Sequence, residues 1–193
     1  YSPVVLLATS AFEGKDFKDL LATAKAKPGS VRWSTSGLAT VGHIVLEQVQ
    51  LGAKAGFTHI PYKGGGEVAV QLVGKHVDST VNNPIEAVAQ WRGGKLRPLA
   101  MTGSKRLALY PAIPTFAEVG YPRVEVLNWQ GVIVPKGTPA AIIARLNDEV
   151  NRALNEPDAF EPCDASPLMG LRALIAESRI DADESRDQLA QLR

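Results

Sequence analysis

Two stretches of the same build constrain this chain more than any others. In the first, Val31-Arg32-Trp33-Ser34-Thr35-Ser36-Gly37 is a short β-branched and aromatic run ending in hydroxyls and a glycine. It leads through Thr40, Val41, Gly42 and His43 into Ile44, Leu46 and Val49, spaced as on a helix. In the second, Thr58-His59-Ile60-Pro61-Tyr62-Lys63 runs into Gly64-Gly65-Gly66, and Val68, Leu72 and Val73 then set a helical rhythm. A strand that turns sharply into a helix, twice over, predicts βαβ crossovers and a parallel sheet. Each turn leaves backbone N–H groups free at a helix start, beside bare glycine backbone and either hydroxyls or Lys63. Such a turn can seat an anion, and two of them point to a protein that holds a small acid.

The rest of the chain continues the alternation. Val4 to Ala8 is an apolar run of buried-strand length, and Phe17, Leu20, Leu21 and Ala24 predict a helix stopped by Pro28-Gly29. Val77 to Asn83 reads as a strand ending in two amides, Ile85 to Trp91 as a short helix, and Leu96 to Met101 as another buried strand. After Ser104 the texture changes to a loop-rich stretch punctuated by Pro111, Pro114 and Pro122, with a short helix expected near Thr115 to Val119. Val124 to Val134 predicts a long strand carrying Trp129, a candidate cleft wall. Thr138-Pro139 predicts the start of a helix with Ile143, Leu146, Val150 and Leu154 on one face, and Leu171 to Leu192 a last helix with a solvated outer side.

Composition narrows the function classes. The chain has 193 residues, 45% of them apolar, and a net charge of +1 with both signs interspersed, so it offers no basic field for nucleic acid. The single cysteine, Cys163, rules out an intrachain disulfide and a multi-cysteine metal site. No apolar run approaches the roughly 20 residues of a membrane helix. The triple glycine matches neither the P-loop, which needs Lys-Ser/Thr after its last glycine, nor the dinucleotide fingerprint. His43 lies seven residues past Ser36, but no Gly-x-Ser-x-Gly elbow surrounds any serine, and His59 and His76 lack neighbours at metal-ligand spacing. Asn82 and Asn83 can cap the helix at Pro84 or reach a ligand, since an amide both donates and accepts.

Several linked motifs, in order, resemble one family. They are the Ser34-to-His43 loop and helix start, Thr58 to Gly66, Val77-Asp78 leading to Asn83, Gly94-Lys95-Leu96-Arg97-Pro98-Leu99-Ala100, Pro114-Thr115-Phe116-Ala117-Glu118-Val119-Gly120, Trp129, Pro135-Lys136-Gly137-Thr138-Pro139, and Leu146 to Asn151. Together they are similar to the periplasmic substrate-binding receptors of tripartite tricarboxylate transporters, the Bug-type receptors. The resemblance implies an α/β chain of type II periplasmic binding-protein fold, with two βαβ lobes, mostly parallel sheets and an incomplete N-terminal lobe. Residues 1–30 would be a remnant of the first lobe and crossover, 31–128 the second, ligand-binding lobe, and 129–193 a crossover strand and helices returning to the first lobe. Only Tyr1-Ser2-Pro3 precede the first strand, and the family's longer N-terminal portion has no counterpart here, so the chain is expected to be one entered partway.

The function so implied is capture of a small carboxylic acid in the periplasm, a di- or tricarboxylate or an aromatic acid, for the membrane components of a tripartite transporter. Neither an enzymatic step, a cofactor nor a metal is expected, nor is the chain expected to be membrane-inserted. Ligand contacts are expected from Ser34, Ser36, Gly37, Thr40, His43, Tyr62, Lys63, Gly64, Gly65, Asn82 and Asn83. Many family members carry an aspartate where this chain has Asn82, which makes a plain carboxylate a better fit than an amino acid. The alternatives are an α/β enzyme using Lys63 and His43 as acid or base, and a cytoplasmic effector-binding domain of a regulator.

Overall fold

The computed structural model describes residues 2–128 and 132–155. In chain order the elements are β1 (Ser2–Pro3), β2 (Val5–Thr9), α1 (Phe17–Ala26), β3 (Arg32–Thr35), α2 (Val41–Ala53), β4 (Thr58–Pro61) and α3 (Gly65–Val73). They continue with β5 (Ser79–Asn82), α4 (Pro84–Arg92), β6 (Leu96–Met101), β7 (Leu127–Asn128) and α5 (Ala140–Asn155). Residues 2–128 form one compact unit and residues 132–155 belong to another. Val5–Thr9 and Phe17–Ala26 sit in the same unit as 31–128.

The first unit is built on a five-stranded sheet in the order β4-β3-β5-β2-β6. β3 runs parallel to β4 and β5, whereas β2 is antiparallel to both β5 and β6. Four strands thus share one direction with β2 inserted against them, and the sheet is mixed. Every residue of β2 is buried, because the strand lies between two others and is covered on both faces. Leu6 and Ala8 join Leu20 and Ala24 of α1, Trp33 of β3 and Val45, Leu46 and Val49 of α2 in one cluster. Val5 and Leu7 point the other way, toward the side where α3 buries Val68, Ala69 and Leu72. Pro98 lies on edge strand β6 beside a bulge, where a missing N–H costs no ladder bond.

The helices start as local chemistry dictates. The Asp16 carboxylate accepts the Asp19 N–H at 3.0 Å, and Asp19 in turn accepts the Lys15 N–H at 2.7 Å, a reciprocal cap on α1. Pro84 opens α4, where its missing N–H leaves no bond unmade.

Two expectations fail. Thr115 to Val119 is a single turn, not a helix: Thr115 and Glu118 cap each other, and the chain reverses at Gly120, whose φ is +97°, ahead of Pro122. Of the strand expected over Val124 to Val134, the described residues show Leu127–Asn128 as strand, paired with Ser2–Pro3, while 124–126 and 132–134 are not strand and 129–131 lie outside the described residues. Trp129, Cys163 and the helix expected over Leu171 to Leu192 lie outside the described residues. In the second unit, α5 leaves Ile142, Ile143, Leu146 and Val150 partly exposed beside Val132 and Val134.

Candidate functional site

The carboxyl ends of β3, β4 and β5 lie side by side, so the loops that leave them converge at one end of the sheet. The two chain reversals touch. The Gly64 N–H donates to Ser36 O at 3.1 Å and the Tyr62 N–H to Thr35 O at 2.9 Å. The antiparallel β2 brings its beginning to the same place, Val5 standing opposite Asn82. β1 lies just ahead of β2 and pairs with β7, which carries Asn128 in.

A half-open cavity of about 330 Å³ lies there. Ser36, Ala39, Thr40, Val41 and Gly42 form one wall, Val81, Asn82 and Asn83 another, with Val4 and Asn128 completing it. Of the expected residues, Ser36, Thr40, Asn82 and Asn83 therefore line the cavity. Val4, Ala39, Val41, Gly42, Val81 and Asn128 also line it without having been singled out; Ala39, Val41 and Gly42 lie within the predicted Ser34-to-His43 unit, whereas the neighbourhoods of Val4 and Asn128 carry no ligand signal and the pairing of β1 and β2 brings them to the site.

The other expected residues stand behind or beside the lining. Ser34 is fully buried and its hydroxyl donates to Ser79 O at 3.1 Å, knitting β3 to β5. Gly37, at φ +147°, offers its carbonyl to the hydroxyls of Thr35 at 3.1 Å and Thr40 at 2.8 Å. Lys63 is exposed and its N–H donates to Glu67 Oε2 at 3.1 Å. Gly65 opens α3, and a Cβ added to it would fall 2.1 Å from Glu86 Oε2 and 2.9 Å from Asn82 Oδ1. The start of α3 is thus attended by two of the protein's own carboxylates, Glu67 and Glu86.

The start of α2 differs. No acid lies in its first turn, and the Thr40 side chain, turned to Gly37 O, does not cap it. The N–H groups of Val41 and Gly42 find no acceptor among the described residues, and both residues line the cavity. Gly42 also lets α2 come close: an added Cβ would meet Val81 O at 3.4 Å. None of the described lining residues is charged, and the positive end of α2 borders the cavity.

The asparagines form a frame. Asn82 Nδ2 donates to Gly65 O at 3.3 Å while its Oδ1 accepts the Asn83 N–H at 2.9 Å. Asn83 in turn donates to Glu86 Oε1 at 3.2 Å and accepts from Asn128 Nδ2 at 2.8 Å. Each amide keeps one N–H in reserve for a guest.

His43, one turn into α2, accepts the Ala39 N–H on its Nδ1 at 3.0 Å. Its ring stacks on His59 of β4, with centroids 4.3 Å apart and planes at 23°. His59 Nε2 lies 2.7 Å from Thr35 Oγ1. Burial, and then the nearby His43, push the His59 imidazole below its ordinary protonation range, with Glu47 opposing.

With this geometry in hand, comparison with known proteins is informative. The family described as tripartite tricarboxylate transporter family receptor matches residues 1–166. Protein BugT of Bordetella pertussis is 36% identical over 170 residues, covering 86% of this chain and 52% of that protein. Among solved structures, R. palustris Rpa4515 with adipate has a TM-score of 0.78 at 29% identity, over 94% of this chain and 64% of that one. MatC (Rpa3494) from Rhodopseudomonas palustris with bound malate has a TM-score of 0.77 at 28% identity, over 91% and 63%. The chain spans about half the length of the curated relatives it matches.

Proposed function

Because the chain belongs to the tripartite tricarboxylate transporter receptor family, we propose that it captures a small carboxylic acid in the periplasm for the membrane components of such a transporter. The family and its structural neighbours are substrate-binding receptors rather than enzymes, and the fold they share is that of type II periplasmic binding proteins. The observation that carries the reading is the unclaimed start of α2, where the Val41 and Gly42 N–H groups border a cavity framed by amides and hydroxyls. A carboxylate seated there receives N–H bonds along the helix axis, with the dipole aligned to favour it. Hydrogen bonds to a charged group contribute roughly 1.5–3 kcal/mol each, so three or four of them, set against the cost of association, reach about micromolar affinity. Adipate and malate, held by the two neighbours, are both dicarboxylates, and we assign this chain to that class first.

A single substitution isolates the α2 seat. Val41 is the first helical residue and Thr40 before it is extended, with φ −78° and ψ 166°, so a proline at 41 fits the backbone while deleting one N–H. Calorimetry of the chain with adipate, malate, citrate and benzoate should find at least one acid bound, and Val41→Pro should weaken that acid about tenfold while the melting temperature stays within a few degrees. Failure of all four acids to bind at millimolar concentration, or an unaltered affinity in Val41→Pro, refutes the assignment.

A further inference from the structure

The stacked pair His43 and His59 stands behind the cavity wall, and each ring holds a part of the loop that forms it. His43 Nδ1 receives the N–H of Ala39, a lining residue held at φ +58°, where a side chain is strained unless its surroundings enforce it. A nitrogen that accepts carries no hydrogen, so His43 keeps its hydrogen on Nε2, which faces Glu47 Oε1 at 3.5 Å. His59 acts through Thr35. The Thr35 hydroxyl lies 2.7 Å from His59 Nε2 and 3.1 Å from Gly37 O, and so links the imidazole to the loop. The sequence His59 to Thr35 to Gly37 O, met from the other side by the Thr40 hydroxyl, pins the loop at one end while His43 pins it at Ala39.

We propose that His43 and His59 are a positioning pair that shapes the cavity loop only while His43 Nδ1 is unprotonated, so that acidification detaches Ala39 and loosens the site. A proton on Nδ1 replaces an acceptor by a donor and sets two N–H groups head to head. The charged groups that bear on the pair are Glu47 from α2, beside His43 Nε2, and each ring toward the other; β3 and the loop offer only the uncharged hydroxyls of Thr35 and Thr40. Rings 4.3 Å apart do not both carry charge readily. His59, whose protonation burial opposes, remains the neutral base of the stack.

Part of this rests on the carboxylate reading and part does not, and the experiment separates the two. Long-range nitrogen–proton spectra of the full chain labelled at histidine should show His43 as the Nε2–H tautomer at pH 7.5, and the protection factor of the Ala39 amide, its exchange rate corrected for the intrinsic pH dependence, should fall about fivefold or more between pH 7.5 and pH 5. His43→Asn, whose Oδ1 takes the place of Nδ1 without titrating, should keep Ala39 protected down to pH 5, whereas His43→Leu should expose it at every pH. Adipate affinity should fall on acidification in the native chain and lose that dependence in His43→Asn. An Nδ1–H tautomer, or an Ala39 amide that ignores the titration, overturns the proposal. Should Ala39 follow His43 while adipate fails to bind at any pH, the positioning pair stands and the carboxylate reading falls.

Discussion

Asn82→Asp changes one atom and reverses a hydrogen bond. Asn82 is 6% exposed, and its Nδ2 donates to Gly65 O at 3.3 Å while its Oδ1 accepts from the Asn83 N–H. A carboxylate in its place sets an anionic oxygen against the Gly65 carbonyl and against Glu86 just beyond it. Losing the donor and leaving that carbonyl unpaired costs about 2 kcal/mol, which for a unit of this size lowers the melting temperature by roughly 6–10 °C. Burial and the facing carbonyl raise the new carboxyl's folded pKa above its unfolded value. Stability is therefore retained below the unfolded carboxylate range, where the protonated acid donates to Gly65 O, and is lost as pH rises through the folded pKa. Denaturant unfolding at pH 7.5 and pH 4 should show a deficit at the first and most of it gone at the second. Like charge at the cavity should also weaken adipate by about tenfold at pH 7.5, the equivalent of about 1.4 kcal/mol in a half-open site. An equal deficit at both pH values, or none at pH 7.5, would show that Asn82 does not donate to Gly65 and refute the reasoning.

Two further perturbations read other parts of the fold. Asp78 accepts from Arg32 Nε at 3.0 Å, Arg32 Nη2 at 2.7 Å and the Arg32 backbone N–H at 2.7 Å, at the end of the sheet away from the cavity. Asp78→Ala should therefore cost about 1–2 kcal/mol in denaturant melts, more than Arg32→Met because it also strips the backbone N–H, and leave adipate affinity unaltered. The lowered proton affinity of His59 means the unfolded chain takes up a proton first as pH drops below about 6.5, so the stability present above that point falls below it. His59→Gln, which keeps a donor for Thr35 Oγ1, should flatten that slope between pH 6.5 and 5; a slope that persists would assign it to another group.

The fold was legible because its elements obey local rules. The apolar β2, the amphipathic α1, the run of Leu96–Met101 and the paired strand-to-helix turns each announce themselves within a dozen residues. The direction of β2 does not: an apolar run reads the same forward and backward, and its reversal follows from insertion between β5 and β6, a long-range choice. Of the strand expected over Val124 to Val134, the described residues form a ladder at Leu127–Asn128, where Ser2–Pro3 supplies a partner, since β propensity becomes a strand where a partner is at hand.

The site obeyed a subtler limit. Glycine, hydroxyl and amide at strand ends marked the right end of the sheet, but they could not rank the two helix starts against each other. Three glycines and Lys63 made α3 the louder signal. What separates the two starts is the charge beside them: the carboxylates of Glu67 and Glu86 stand next to the start of α3, whereas no acid lies in the first turn of α2. Glu67, four residues on from Lys63, returns its carboxylate to the Lys63 N–H. Glu86 comes from the next βα unit and reaches Gly65 through tertiary structure alone. α2, with no acid in its first turn and its cap hydroxyl drawn off to Gly37, is left with Val41 and Gly42 N–H unspent. Under the carboxylate reading proposed above, a helix start with carboxylates beside it repels an anionic guest, so the start of α2 is the seat to test first.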